Sequence, residues 1–271
     1  MANFGGFTAA SRGLVTLPDG RNAFAKGATN DLTEAWLRTE HNVYTHLNGS
    51  FMPQLLGWDE SGERPRLLLE DLSGARWPPP WRLGDEALIM AALDELHAAP
   101  APPGLPNAED EIGDSWSDVV IDPKPFLSLG LVSAAWLDAN LAALQDASRR
   151  AWLAGSSVVH LDIRSDNLCV REERALIVDW NWTALGNPAI DAQFWLPSLV
   201  LEGGAPPVEL EPEYAARILG FFAARAGLPT IPDAPRVRAV QLAQLEVVLP
   251  WACRLLGIDA PHGNSTFQGG V

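Results

Sequence analysis

Three oxygen-bearing side chains in the middle of this chain have the types and spacing to do chemistry on a phosphate. The segment Val158-Val159-His160-Leu161-Asp162-Ile163-Arg164-Ser165-Asp166-Asn167-Leu168 puts Asn167 five positions after Asp162. A second segment, Ala175-Leu176-Ile177-Val178-Asp179-Trp180, brings another carboxylate twelve positions further on. A carboxylate facing a hydroxyl can orient it and accept its proton. An amide and a second carboxylate are hard oxygen ligands suited to Mg²⁺ beside nucleotide phosphates. In-line phosphoryl transfer asks for that combination, with Asp162 in the first role and Asn167 and Asp179 in the second. Both segments open with apolar, β-branched runs, so each reads as a short buried strand that delivers its polar groups where it gives way to a loop.

The order Asp, Asn, Asp resembles the catalytic region of aminoglycoside phosphotransferases and their relatives, the choline, homoserine and fructosamine kinases. Their common H-G-D-x-x-x-x-N followed by I-D-W or V-D-W stands here as H-L-D-I-R-S-D-N and V-D-W, so Leu161 replaces the usual Gly. The resemblance implies an α+β, bilobal protein-kinase-like fold. A nucleotide-binding lobe with a small antiparallel β-sheet and one helix would span 1–75, and a mainly α-helical catalytic and substrate-binding lobe 76–271. It implies ATP or GTP with Mg²⁺ as cofactors. Arg164 stands where protein kinases carry Lys and many antibiotic kinases His. A guanidinium there can stabilise charge on the transferred group, or simply pair with Asp166 or another acid. His160 reads as a core histidine bracing the loop. Asp191 closes Gly186-Asn187-Pro188-Ala189-Ile190-Asp191, which resembles the family's G-x-P-x-x-D, and would brace or cap the catalytic loop from the helix that follows. No A-P-E segment follows Asp179, which argues against a protein kinase.

Other elements must hold these groups in place. Asn3-Phe4-Gly5-Gly6-Phe7-Thr8-Ala9-Ala10-Ser11 bears glycines, a strand runs from Gly13 to Leu17, and Pro18-Asp19-Gly20 turns it into a return strand ending at Lys26. By the family likeness, the backbone around Gly5, Gly6, Thr8 and Ser11 covers the phosphates and Lys26 pairs with them; the loop is not a Walker A sequence. Residues 31–48 read as a helix capped by Thr29-Asn30-Asp31. Within it Glu40, ahead of Glu34, is the chosen partner of Lys26, though either also reads as a solvated helix-face acid. Strands follow at 53–59 and 66–72, and the run L-L-L-E-D-L-S-G resembles the family hinge, where the backbone of Glu70 and Leu72 would contact the base. Three prolines, 78–80, mark a boundary. Then come a helix at 85–99, in which His97 would interact with the helix dipole, and an acidic, proline-rich segment at 100–125, read as a loop over the cleft or a connector. Helices are also expected at 133–152, 211–226 and 236–257.

Composition sets the bounds. The 271 residues suffice for a large core, and 47% hydrophobic with 20% charged residues is ordinary for a globular chain. A net charge of −15 opposes binding to nucleic acid or anionic membranes and suits a cationic small molecule, although acidic surfaces also serve solubility alone. Cys169 and Cys253 form neither a disulfide framework nor a metal cluster, and Cys169 reads as a small buried hydrophobe. No secretory signal is visible, and no uninterrupted apolar run approaches bilayer-spanning length. A soluble cytoplasmic protein, monomer or homodimer, is the expectation. Eleven tryptophans, with Trp180, Trp182 and Trp195 near Asp179, read as core or as an aromatic wall for a ring-bearing substrate. The resemblance implies transfer of a γ-phosphoryl group to a hydroxyl of a small molecule, first of all an antibiotic. A metabolic kinase for an amino alcohol, sugar or nucleoside is the alternative, and a nucleotide-binding pseudokinase the third reading.

Overall fold

The structure, a computed structural model, describes residues 9–232 and 234–261. In chain order, β1 (Ser11–Thr16), β2 (Asn22–Gly27), α1 (Asp31–His46), β3 (Leu55–Asp59), β4 (Arg66–Glu70) and α2 (Asp85–Ala98) come first. Next are α3 (Ala108–Ile112), α4 (Ser115–Ile121), α5 (Lys124–Ser128) and α6 (Ala134–Arg150). The chain continues through β5 (Ser157–Val159), a 3₁₀ turn at Ser165–Asn167, β6 (Leu168–Arg171), β7 (Arg174–Ile177), a second 3₁₀ turn at Trp180–Trp182 and β8 (Ala184–Gly186). It ends with α7 (Ala189–Leu201), α8 (Pro212–Ala226) and α9 (Val237–Leu256). Two compact units result, Met1–Glu111 with Leu153–Glu209, and Ile112–Trp152 with Leu210–Val271. Asp162, Asn167 and Asp179 therefore belong to the same unit as the N-terminal strands, whereas the family likeness drew its boundary at residue 75.

In the first unit the strands pair antiparallel in the order β1-β2-β4-β3. The β1–β2 turn closes through Gly20 N–H donating to the Leu17 carbonyl at 2.9 Å, and Gly20 takes φ 85°, a conformation that suits a residue without Cβ. Asn30 starts α1 by a reciprocal cap: its side chain accepts from Thr33 N–H at 2.8 Å, while Thr33 Oγ1 accepts from Asn30 N–H at 3.0 Å. The helix buries Leu37, Val43 and Tyr44, and with them Glu40, a carboxylate that cannot stay on a core face without a cation. One apolar core runs from these residues through Leu67 and Leu69 of the sheet, Ile89, Leu93 and Leu96 of α2, and Val158, Ile163, Leu168, Ile177 and Trp180 around the catalytic segment. β5 pairs with β8, and β6 with β7 in the register Leu168↔Ile177. Cys169 is fully buried with Leu72 and Leu176, and burial pushes its thiol up to about 12.

The second unit is helical. Of the acidic 100–125 segment, residues 100–107 are irregular and the rest folds into α3, α4 and the start of α5, with the second unit beginning at Ile112. Trp116 and Phe126 are 0% and 1% exposed, and the Trp116 indole donates to the Ala216 carbonyl of α8 at 2.9 Å. Gly220 lets that indole approach, since a Cβ there would lie 2.5 Å from the ring nitrogen. α8 is the hub, burying Tyr214, Ile218, Leu219 and Phe222 among α4, α5, α6 and α9. α9, at 20 residues, is long and apolar enough by length and composition to cross a membrane, although Arg238, Glu246 and Arg254 interrupt its apolar run. It buries Gln244, Leu245, Val248, Leu249, Ala252 and Cys253.

Candidate active site

β2 delivers Lys26 into the interior, where its ammonium is 2.6 Å from Glu40 Oε2 and 2.7 Å from Asp179 Oδ1. Burial opposes the charge on Lys26, but the two carboxylates outweigh it and hold the amine above its ordinary range. Burial pushes Glu40 up, with Lys26 offsetting only part of that rise. Burial acts upward on Asp179 too, but Lys26 outweighs it there, helped by Arg12 and His160, and keeps Asp179 below the usual carboxylate range. Glu34, the other candidate partner, points elsewhere and bonds Arg38 and Arg64.

The catalytic loop leaves β5 through Leu161, whose φ of 65° lies in the left-handed region. A glycine adopts this freely and a leucine at a cost of about 1–2 kcal/mol, which gives a physical reason for Gly in the related motif. Asp162 is held on both oxygens. Asn167 Nδ2 donates to Oδ2 at 2.9 Å and to the Asp162 carbonyl at 2.8 Å, and Arg164 Nε lies 3.2 Å from Oδ1. Arg164 also reaches Asp166 at 2.9 Å, so its guanidinium is shared between the loop's two acids. The backbone ties Asn167 to the segment that carries Asp179, Val178 N–H donating to the Asn167 carbonyl at 2.9 Å.

Around this loop, His160 is fully buried and its Nδ1 accepts from Asp162 N–H at 3.2 Å, which assigns the ring proton to Nε2, 3.1 Å from the Val178 carbonyl. Burial holds the imidazole below its ordinary pKa. Asp191, in the first turn of α7, accepts from His160 N–H at 2.9 Å and from Leu161 N–H at 2.8 Å. Its Oδ2 also lies 2.9 Å from His97 Nε2, so His97, in the last turn of α2 as expected, meets this carboxylate as well. Asn181, with its amide nitrogen turned toward Asp179, donates to Oδ1 and to the carbonyl, both at 3.1 Å. Asp179 needs that support, having the left-handed φ of 70°.

A cavity of about 530 Å³ opens between the sheet and these groups, lined by Lys26, Glu40, Asp166, Asn167 and Asp179 and by Leu72, Trp77 and Val178. On its sheet wall Arg12 stands opposite Lys26 and Leu14 opposite Phe24, and directly opposed residues of antiparallel strands share a face. The wall thus grades from apolar to cationic, as a base followed by phosphates would require. Arg12 escaped the sequence reading, although counting by twos along its strand would have found it. Ser11, assigned to the phosphates, instead donates its hydroxyl to the Gly27 carbonyl at 3.2 Å and is not on the cavity wall. Gly5, Gly6 and Thr8 lie outside the described residues. Glu70 and Leu72 both line the cavity. The Glu70 amide donates to the Gln54 carbonyl at 2.9 Å, its carboxylate pairs with Arg171, and the Leu72 carbonyl accepts from Ala75 N–H at 3.0 Å. Trp180 and Trp195 are core; Trp182, 41% exposed, lies 6.2 Å from Trp36 beside a separate cavity of about 480 Å³.

The donor set fits Mg²⁺. Among the described residues no three His, Cys, Asp or Glu cluster to cage a metal by themselves. Asn167 and Asp179 offer two protein oxygens facing an open cavity, as suits an ion that shares its coordination with water and nucleotide phosphates. Asn167 and Asp179 would hold the ion.

The phosphotransferase enzyme family matches residues 10–226. Among solved structures, a choline/ethanolamine kinase family protein from Mesorhizobium loti is similar at a TM-score of 0.56 and 16% identity, covering 90% of this chain and 91% of that one. A macrolide 2'-phosphotransferase from Brachybacterium faecium gives 0.53 and 17% over 94% and 90%, and a type I macrolide 2'-phosphotransferase 0.51 and 20% over 94% and 85%. No curated protein matches the sequence. At these identities the structures speak for the fold, which is α+β and protein-kinase-like. With most of its length matched by the family, the chain belongs to the phosphotransferase enzyme family and is a small-molecule O-phosphotransferase.

Proposed function

We propose that this phosphotransferase moves the γ-phosphoryl group of ATP or GTP, taken as its Mg²⁺ complex, to a hydroxyl of an antibiotic or similar hydroxyl-bearing natural product. One observation carries the reading: Lys26 from the sheet and Asp179 from the segment after β7 meet at 2.7 Å, with Asn167 on the wall of the same cavity and bonded to Asp162. Lys26 would turn from Asp179 toward the phosphates, with Glu40 keeping it in one rotamer. Asp162 would orient the acceptor hydroxyl and take its proton late, which asks for little base strength in a loose transition state. Arg164 would neutralise charge on the transferred group from its place between Asp162 and Asp166. When bound, the metal supplies charge neutralisation between the phosphates.

The net charge of −15 favours a cationic acceptor, and the macrolide 2'-phosphotransferase likeness favours an antibiotic. The choline/ethanolamine kinase likeness supports the second reading, a metabolic kinase for an amino alcohol, sugar or nucleoside. We place the protein in the cytoplasm, where nucleotide is supplied and its two buried thiols stay reduced. The test is a panel of aminoglycosides, macrolides, nucleoside antibiotics and small metabolites incubated with ATP or GTP and read by mass spectrometry for an added phosphate. Turnover of an antibiotic is expected. Turnover of a metabolite alone would overturn the antibiotic reading in favour of the second.

A further inference from the structure

α7 has a carboxylate at each end, and both reach back to the catalytic loop. Asp191 in the first turn takes the amides of His160 and Leu161. Glu202, the C-terminal cap, accepts from the Ser165 hydroxyl through Oε1 at 2.5 Å and from the Trp81 indole N–H through Oε2 at 3.3 Å. Ser165 is 7% exposed and opens the 3₁₀ turn that ends at Asn167. The Trp81 ring lies 5.6 Å from that of Trp195, a core residue of α7, so the second oxygen of Glu202 is held by a side chain docked on the same helix. Ile190, Trp195, Leu196 and Leu199 anchor the helix in the core.

We propose that Glu202 is a positioning residue: through Ser165 it fixes the turn that presents Asn167 to the metal, as Asp191 fixes the Asp162 end of the same loop. The assignment rests on the reading of Asn167 as a metal ligand. Ser165 needs an acceptor at Glu202, not a charge. Gln keeps an acceptor oxygen there, while Ala leaves the hydroxyl buried with none and frees the turn. Were Glu202 instead acting by its charge on Arg164, Gln and Ala would behave alike.

The experiment measures ATP binding to the full chain as a function of Mg²⁺ concentration, with unfolding midpoints alongside. It uses wild type, Glu202→Ala, Glu202→Gln, Ser165→Ala and the Glu202→Ala/Ser165→Ala double variant. Removing a partner that orients a metal ligand typically weakens metal affinity by about 10–100-fold. Glu202→Ala and Ser165→Ala are each expected to raise the half-saturating Mg²⁺ by about that factor, the double variant no further, and Glu202→Gln by little. ATP binding in EDTA should not change. A folded Glu202→Ala with wild-type Mg²⁺ dependence would overturn the assignment, as would additive effects in the double variant. If Glu202→Ala does not fold, unchanged Mg²⁺ dependence in Ser165→Ala overturns it equally. Wild-type binding indifferent to Mg²⁺ would overturn the functional reading and take this assignment with it.

Discussion

Lys26 bridges Glu40 and Asp179 at 2.6 and 2.7 Å, and Arg164 bridges Asp162 and Asp166 at 3.2 and 2.9 Å. Each is one cation between two acids, yet they are built differently. The Lys26 partners are 14 and 153 positions away, and Glu40 is shut off from solvent. The Arg164 partners are neighbours on one loop, with side chains 20–28% exposed. The first cluster exists only once sheet, helix and the segment after β7 have assembled, so it reports on the fold. The second follows from the path of a few residues and can be retuned without disturbing the core. Breaking one partner out of a buried ion pair costs about 3–5 kcal/mol and exposed pairs contribute about 0.2–1 kcal/mol, so the partly buried Arg164 pairs fall between the two.

The sharpest way to separate the two clusters is Asp162→Ala. It should lower phosphoryl transfer by about 10²–10⁴-fold with ATP binding retained, as measured by turnover against equilibrium titration. Retained turnover would remove Asp162 from the chemistry. Next, Lys26→Met should destabilise the fold by about 3–5 kcal/mol in urea titration, leaving Glu40 and Asp179 without their shared cation. Asp166→Asn, which keeps an oxygen for Arg164 at a partly buried pair, should cost less than Lys26→Met in the same titration. Equal losses from the two would erase the distinction between a tertiary and a local cluster. Leu161→Gly trades the strain of a left-handed leucine against glycine's larger unfolded-state entropy, so stability should stay within about 1 kcal/mol of wild type. A larger loss would mean that the side chain, not the backbone, is what the position requires.

The smallest effect concerns His160, a buried brace beside the local cluster. Its folded pKa lies below 6.5 while an unfolded imidazole titrates near 6.5, so below that pH the unfolded chain takes up a proton that the native state refuses. Its contribution is fully present above pH 6.5 and is lost as pH falls below it. Urea midpoints taken downward from neutral pH should drop in wild type and less steeply in His160→Gln. Identical slopes would show that His160 is not held neutral.

Local physics made much of this legible in advance. The Asn30 cap, the Pro18-Asp19-Gly20 turn and the alternation leading to Lys26 are short-range features, and each of these elements forms within a residue or two of where the sequence puts it. The spacing of Asp162, Asn167 and Asp179 is likewise written along the chain. What could not be read depends on partners far away. Glu40 and Glu34 look alike on a helix until Lys26 and Arg64 are placed around them. The 100–125 segment reads as loop because prolines and acids outnumber Trp116 and Val119, and Trp116 finds its partner on a helix about a hundred residues on. His97 meets Asp191 94 residues away, and Glu202 meets Ser165 across 37, so no local pattern announces either.

Convergence of Lys26, Asn167 and Asp179 on one metal–triphosphate is tested most directly by titrating ATP into wild type and Asp179→Ala, each in Mg²⁺ and in EDTA. Wild type should bind at least about tenfold more tightly with Mg²⁺, and Asp179→Ala should lose that gain while remaining folded. Equal Mg²⁺ dependence in the two proteins would contradict the site described here.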